Sequence, residues 1–473
     1  MPLSQLNMTV FLILSTASHL FGLASAVHAL HQVRTSQGTV GWIVGLIALP
    51  MIALPLYWLG GRTRFYSYRE DYQQTLEAME SLHPTEHLPE TSPAGNHPID
   101  ALVPSIAAPG YLAGNDIKIL KNAVETFPAI LKAIAEAKHY VLVEYYILAD
   151  DEVGNRLLDA LVEAVTDGVQ VIVLVDGIGS YSLGDSFIQR AEDAGIEFHR
   201  FAPHKGLFAR FELNFRNHRK IVVVDGEVAF TGGLNMGDEY VDGGENHKNW
   251  RDTHLALRGP CVLSLQTIFA KDYHWATRSN PPKLRWPAPS DPGRLDSCIV
   301  PTGPGDPHES GAALILTLLT AARERVWIST PFFVPELGIE DALVAAILRG
   351  VDVRVLIPDR SASRIADLAR ETSIDRLNQA GARFFVYQEG FVHQKVVLVD
   401  DLHAAIGSLN FDNRSVYLNF EVTALVRDGS FNSEVASMLE DDFKHSKLID
   451  LEIGKSIWRQ FLVRIARLFS PVL

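Results

Sequence analysis

Cysteine is almost missing from this chain: Cys261 and Cys298 are its 2 thiols in 473 residues. They have no metal-binding spacing and lie well apart, which favours buried thiols over a zinc site or a disulfide framework. Positive charge is the second shortage. Lys and Arg number 42 against 56 Asp and Glu, a formal net charge of -14, whereas binding a nucleic-acid backbone needs a positive field. Nucleic acid is therefore not an expected partner, a local basic cleft apart. Two stretches lack charge altogether: residues 8–30 and 39–61 contain no Asp, Glu, Lys or Arg. Each is long enough to cross a bilayer, and 47% apolar residues is high for a soluble protein.

A cleaved signal peptide is the rival reading of the first stretch, but no basic segment precedes it and the second stretch follows at once. Arg62, Arg64 and Arg69 come after the second stretch, against Arg34 alone between the two. By the positive-inside rule both ends of such a hairpin, and the chain that follows, face the cytoplasm.

What the sequence does contain is a duplicated stretch. His218 to Asn235 reads HRKIVVVDGEVAFTGGLN, and His393 to Asn410 reads HQKVVLVDDLHAAIGSLN. His218, Lys220, Asp225, Gly232 and Asn235 align with His393, Lys395, Asp400, Gly407 and Asn410 at identical spacing, which marks an internal repeat. Residues two apart on a strand point the same way, so each His and Lys project together. The apolar run is a buried strand ended by the Asp, and the small pairs Gly232-Gly233 and Gly407-Ser408 are expected to let backbone amides approach a ligand. An imidazole beside an ammonium suits a phosphate. Two halves packed face to face bring two His, two Lys and two Asn around one phosphorus, one His to attack and the other to protonate the leaving oxygen.

The doubled H-x-K-x4-D with a downstream G-[GS]-x-N resembles the phospholipase D superfamily. NFRNHRKIVVVDG, GGLNMGDEY, STPFFVP and GSLNFDNRS are similar to bacterial cardiolipin synthases of that type, over nearly the whole chain. The resemblance implies two tandem α/β sandwich halves with pseudo-twofold symmetry, and a phosphatidyltransferase of the cytoplasmic (inner) membrane that makes cardiolipin and glycerol from two phosphatidylglycerol molecules. It favours His218 as nucleophile and His393 as acid, needs no cofactor or metal, and matches Arg216 to a headgroup contact. Hydrolysis to phosphatidic acid is the nearest alternative, ahead of a membrane-anchored phosphodiesterase or nuclease.

In chain order, this reading predicts a transmembrane hairpin over 1–65, a juxtamembrane segment and Pro-rich linker over 66–112, halves at 113–290 and 291–447, and a basic amphipathic helix at 448–473 that lies on the membrane or docks on the core. Helix and strand alternate in the same order in both halves. Aligning WRDTHLALRG from Trp250 with NFEVTALVRD from Asn419 places Asp252 opposite Glu421. A catalytic His needs a partner on its second ring nitrogen, so one carboxylate is expected for each His. Asp225 and Asp400 belong to the catalytic signature, yet their place after a buried strand, beside a turn, suits a structural role better. Gly233, Ser408, Asn235 and Asn410 are the expected phosphate-binding residues, Gly233 departing from the usual Ser.

Overall fold

The structure, a computed structural model, describes residues 3–33, 35–61, 91–92, 95–201, 215–242, 249–279, 284–287, 292–306, 308–449 and 456–470. The N-terminal helices belong to one compact unit and both repeats to another.

In the first unit, α1 (Leu3–Gln32) is a single long helix, followed by α2 (Ser36–Ala48) and α3 (Pro50–Leu56). Among the described residues α1 alone is long and apolar enough to cross a membrane. The expected second span is broken at Leu49, because Pro50 lacks an N–H and pushes the residue before it out of the helical region; Leu49 sits at φ -136, ψ 56. The pieces fold back on α1, where Ala26, Ala29 and Val33 meet Leu46, Ala53, Leu54 and Tyr57. Gly22 permits this approach, since a Cβ there would lie 2.3 Å from the Leu46 carbonyl oxygen. Outward, Phe11, Leu12, Ile13, Leu14, Val27 and Leu30 are exposed, the pattern of a helix whose solvent is lipid.

The second unit is built on one continuous sheet. Its strands are β1 (Leu112–Lys121), β2 (Tyr140–Tyr145), β3 (Gln170–Asp176), β4 (Glu197–Phe201), β5 (Lys220–Val224), β6 (Val228–Gly232) and β7 (Thr253–Arg258) from the first half. From the second come β8 (Leu295–Thr302), β9 (Arg325–Ser329), β10 (Asp352–Pro358), β11 (Arg383–Tyr387), β12 (Val396–Val399), β13 (His403–Gly407), β14 (Asn419–Arg427) and β15 (Ser446–Ile449). Their order is β15-β11-β10-β9-β12-β13-β14-β8-β1-β7-β6-β5-β2-β3-β4. Leaving out β15, it reads the same from either end. The antiparallel pair of β1 and β8 is the seam, and each half repeats the other across it as the duplicated sequence requires.

The motif strands are central, so both faces are covered and their sequences read as unbroken apolar runs. Each wing has its own core. Val141, Val143, Leu157, Leu161, Val173 and Phe230 belong to one, and Val326, Ile328, Leu318, Leu343, Val355 and Phe384 to the other. The helices between strands have ordinary caps: the Asp151 side chain accepts from Gly154 N–H at the start of Glu152–Thr166, and Asp428 accepts from Phe431 N–H at the start of Gly429–Lys444.

Part of the expected linker is core instead. Pro98–Ile106 forms a helix whose Ile99, Val103 and Ile106 pack into the second half, and its Asp100 meets His403 Nε2 at 3.1 Å and Arg427 at 3.3 Å. Residues that precede the first repeat thus complete the second. Pro98 and Pro104 made the segment look like loop, but Pro98 stands in the first turn, where no N–H is needed.

Candidate active site

Each motif histidine is held by the opposite half. Arg216–Asn217 pairs in parallel with Asn419–Phe420, and His218 N–H donates to the Phe420 carbonyl at 2.9 Å. Symmetrically, Phe391–Val392 pairs with Trp250–Arg251, and His393 N–H donates to the Arg251 carbonyl at 2.8 Å. The next residue on each receiving strand is the carboxylate. His218 Nδ1 lies 2.8 and 3.0 Å from the two oxygens of Glu421, and His393 Nδ1 lies 2.7 Å from Asp252 Oδ2. The two expected carboxylates are therefore each bonded to a histidine, in a crossed arrangement. Such a bond fixes the tautomer with Nδ1–H donating, and leaves Nε2 for chemistry.

Both imidazoles, both lysines and both carboxylates are buried. Burial lowers the His218 pKa to about 4 despite Glu421, and burial followed by the Lys395 ammonium lowers that of His393 to about 3 despite Asp252. The rings are thus neutral at neutral pH. Burial would raise the Asp252 carboxyl, but Lys395 and His393 outweigh it and hold it at about 2; Glu421 is lowered for the same reason by His218 and Lys220. Burial also brings Lys395 down to about 8 and Lys220 well below its ordinary value. Lys395 acts on His218 and Lys220 on His393, so the two halves form one electrostatic site. Cations stripped of water in this way are a strong cradle for a phosphate.

Lysine placement differs between the halves. Lys220 Nζ donates to the His218 carbonyl at 2.6 Å and lies 5.3 Å from the centre of the Tyr146 ring. Lys395 Nζ bonds the His393 carbonyl and lies 3.0 and 3.1 Å from the two ring nitrogens of that histidine.

Asn235 donates to Tyr240 Oη at 2.6 Å and accepts from Ile147 N–H at 3.3 Å. Asn410 is buried, and its Oδ1 has no hydrogen-bond partner among the described residues. Gly233 and Ser408 do not turn their amides to a ligand as expected: these donate to the carbonyls of Thr253 and Val422, at 3.0 and 2.9 Å. Gly233 is small for another reason. A Cβ there would lie 2.0 Å from Asp252 Oδ1, whereas the Ser408 hydroxyl accepts from Val422 N–H at 3.0 Å.

Asp225 and Asp400 stand at the far end of the motif strands, about 16 Å from the lysines at ~3.3 Å per residue. Both adopt left-handed conformations, with φ 57 and 49. Asp225 accepts the N–H groups of Lys138, His139 and Tyr140 at 2.8 to 2.9 Å; Asp400 accepts those of Arg323, Glu324 and Arg325 at 2.8 to 3.0 Å. Each carboxylate ties the turn before β2 or β9. This is architecture, and it corrects their place among the catalytic residues. Arg216 is buried, with Asp176 and Arg414 among the charges acting on it; of the basic stretch before it, residues 204–214 lie outside the described set.

Several contributors carried no motif signal. Tyr146 stands edge-on to His218 with ring centres 4.9 Å apart, and Trp250 lies 5.1 Å from His393. Arg219 pairs with Asp272 and donates to the Glu421 carbonyl at 3.0 Å. At the second histidine Arg251 makes a two-pronged pair with Asp442 at 2.7 and 2.9 Å, which Gln394 joins at 2.8 Å. Asn122 brackets Asp252, accepting its N–H and donating to its carbonyl, both at 3.0 Å. The x of H-x-K was the available clue: a buried motif strand gives Arg219 no route to solvent, so it needs a carboxylate.

The family described as "Cardiolipin synthase, PLD-like domain" matches residues 130–251 and 315–446. Cardiolipin synthase A of Pseudomonas putida is 43% identical over 464 residues, covering 96% of this chain and 97% of that protein. The protein of the same name from Pseudomonas aeruginosa is 40% identical over 482 residues, covering 100% and 98%. Among solved structures, a phosphatidylserine synthase from Haemophilus influenzae shares the fold, with TM-score 0.59 at 15% identity over 79% of this chain and 99% of that one. With its doubled His-Lys site and long apolar helix, the chain belongs to the cardiolipin synthase family of the phospholipase D superfamily and is a membrane-associated phosphatidyltransferase.

Proposed function

We propose that this enzyme moves a phosphatidyl group from one phosphatidylglycerol to the headgroup hydroxyl of another, giving cardiolipin and free glycerol through a phosphohistidine. The crossed pairing of His218 with Glu421 and His393 with Asp252 carries this reading, because it leaves two Nε2 atoms for one phosphorus. In the first step neutral His218 Nε2 attacks phosphorus in line. The bond from phosphorus to the glycerol oxygen breaks, and His393 gives that oxygen its proton. In the second step neutral His393 takes the proton of the incoming hydroxyl, whose oxygen attacks phosphorus and frees His218.

The free protein keeps both rings neutral, so His393 must gain a proton as substrate binds. A phosphodiester anion beside the rings raises both pKa values and supplies that shift. Lys220 and Lys395, with amide N–H groups of Asn235 and Asn410, hold the non-bridging oxygens as charge builds in the trigonal-bipyramidal transition state. Arg216 meets the headgroup. Glu421 and Asp252 orient the imidazoles and stabilise whichever becomes an imidazolium. The setting is the bacterial inner membrane, with the N-terminal segment as a hairpin and the catalytic unit in the cytoplasm, as Arg62, Arg64 and Arg69 support.

The test is product analysis with phosphatidylglycerol in mixed micelles. Cardiolipin and glycerol in equal amounts are expected, and both should vanish in His218→Ala and His393→Ala. Phosphatidic acid as the sole lipid product would make water the acceptor and overturn the synthase reading.

A further inference from the structure

The last described helix, α4 (Ile457–Arg467), has two unlike faces. One is docked: Val463 is fully buried, and Ala466 packs against Val334, Ala366 and Ala369. Ion pairs fix the same side, Arg459 to Glu371 at 2.8 Å and Arg467 to Glu340 at 3.2 Å. Just past the helix, Asn413 Nδ2 donates to the Ser470 carbonyl at 2.9 Å. The other face is apolar and open. Ile457, Trp458 and Leu468 are 82%, 76% and 77% exposed, and Phe461, Leu462 and Phe469 about half exposed. At 100° per residue these six side chains fill one arc of ~140°, with exposed Arg464 at its edge. Scattered exposed apolar residues are ordinary on a protein surface, but a contiguous face of six is not.

We propose that this face of α4 is an interfacial lipid-binding element that seats the catalytic unit on an anionic bilayer surface. Charge selects this occupant over a second copy of the chain. From Ile457 to Leu473 there are three Arg and no Asp or Glu, in a protein of net charge -14; Arg459 and Arg467 are paired on the docked side, and an apolar face free of acid with a basic residue, Arg464, at its edge is the composition of a helix that lies in an anionic headgroup layer. A second copy docked through the same face would set Arg464 against its like-charged counterpart. The connection to the site is short. Val334, beneath Ala466, pairs through the strand Phe333–Val334 with Phe411–Asp412, next to Asn410, and Asn413 holds the chain just beyond the helix. Insertion of α4 therefore fixes the height of the second motif loop above the lipid, so that headgroups meet the His-Lys cleft without leaving the bilayer.

The test uses the full chain reconstituted in vesicles containing phosphatidylglycerol with brominated acyl chains, which quench only fluorophores within the bilayer. Wild type should lose more tryptophan emission than Trp458→Phe, the difference being most of the emission of Trp458. The double variant Phe461→Asp/Leu462→Asp should lose about tenfold in rate on vesicle lipid and keep its rate on short-chain phosphatidylglycerol dissolved as monomers. Equal quenching in wild type and Trp458→Phe overturns the proposal. So does a double variant with full vesicle activity, or one that changes only the oligomeric state, which would assign the face to a second copy. The quenching arm needs no turnover, so it stands or falls independently of the cardiolipin reading.

Discussion

His218 and His393 occupy equivalent places in two copies of one motif, yet their surroundings differ. Glu421 offers both oxygens to His218 Nδ1, and Lys220 is drawn toward Tyr146. Asp252, one methylene shorter, reaches His393 with a single oxygen, and Lys395 lies against the ring itself. The glycine follows from the shorter carboxylate: Asp252 occupies the space that a side chain at 233 would need, while Ser408 steadies the strand beside Glu421. The supporting arginine also changes place, lying at 219 within the first motif but, for the second histidine, at 251 on the strand that receives His393. A duplicated site to which we assign one nucleophile and one acid has diverged in carboxylate reach and lysine position, and the two histidine positions were retained.

Breaking the carboxylates tests this divergence most severely. Glu421→Gln and Asp252→Asn keep shape but remove the charge that fixes tautomer and steadies an imidazolium, and each should lower kcat by roughly 10³- to 10⁴-fold with little change in KM. If the crossed pairing is right, adding His218→Ala to Glu421→Gln costs far less than the product of the two effects. Steady-state rates of the single and double variants decide this, and full additivity would contradict a shared unit.

The Gly233 and Ser408 pair sharpens the comparison at smaller cost. Gly233→Ser forces Asp252 from His393 and should lower activity at least 100-fold, whereas Ser408→Gly forfeits one buried hydrogen bond and should cost about 1 kcal/mol of stability. Thermal melts and rates on the same preparations separate the two. Asp225→Asn should behave unlike any cleft variant. It weakens three charge-assisted bonds, with an expected loss of about 2 to 3 kcal/mol in stability and a near-normal rate per folded molecule.

A further effect is in pH. Unfolded histidine titrates near 6.5, while the folded values are about 4 and about 3. Between those values the unfolded chain binds more protons, so stability falls as pH drops below about 6.5. His254, buried with its pKa lowered to about 3, adds to the same slope. Melting curves from pH 7.5 to 5 should show the decline, and His218→Gln/His393→Gln should flatten it.

Much of this was legible in the sequence because it is periodic or repeated. The motif strands, the alternating helices and the alignment of Asp252 with Glu421 all follow from pattern. What pattern could not supply is which chain segments meet. The crossing of each histidine to the other half depends on short pairings such as Arg216–Asn217 with Asn419–Phe420, two residues long and without a signature. Small residues beside the motif suggested ligand access at Gly233, whereas the neighbour that demands glycine is Asp252, brought close only by the folded sheet. Proline misled in both directions: Pro50 breaks a stretch that hydropathy read as one span, and Pro98 opens a helix in a segment read as linker.

The most direct test of a paired-histidine site with divided roles is to trap the covalent intermediate. Wild-type enzyme mixed with phosphatidylglycerol, quenched in alkali within milliseconds and digested for mass spectrometry, should carry a phosphatidyl adduct on His218. His218→Ala should carry none. An adduct on His393 would reverse the roles, and steady cardiolipin production with no adduct on either histidine would contradict the double displacement itself.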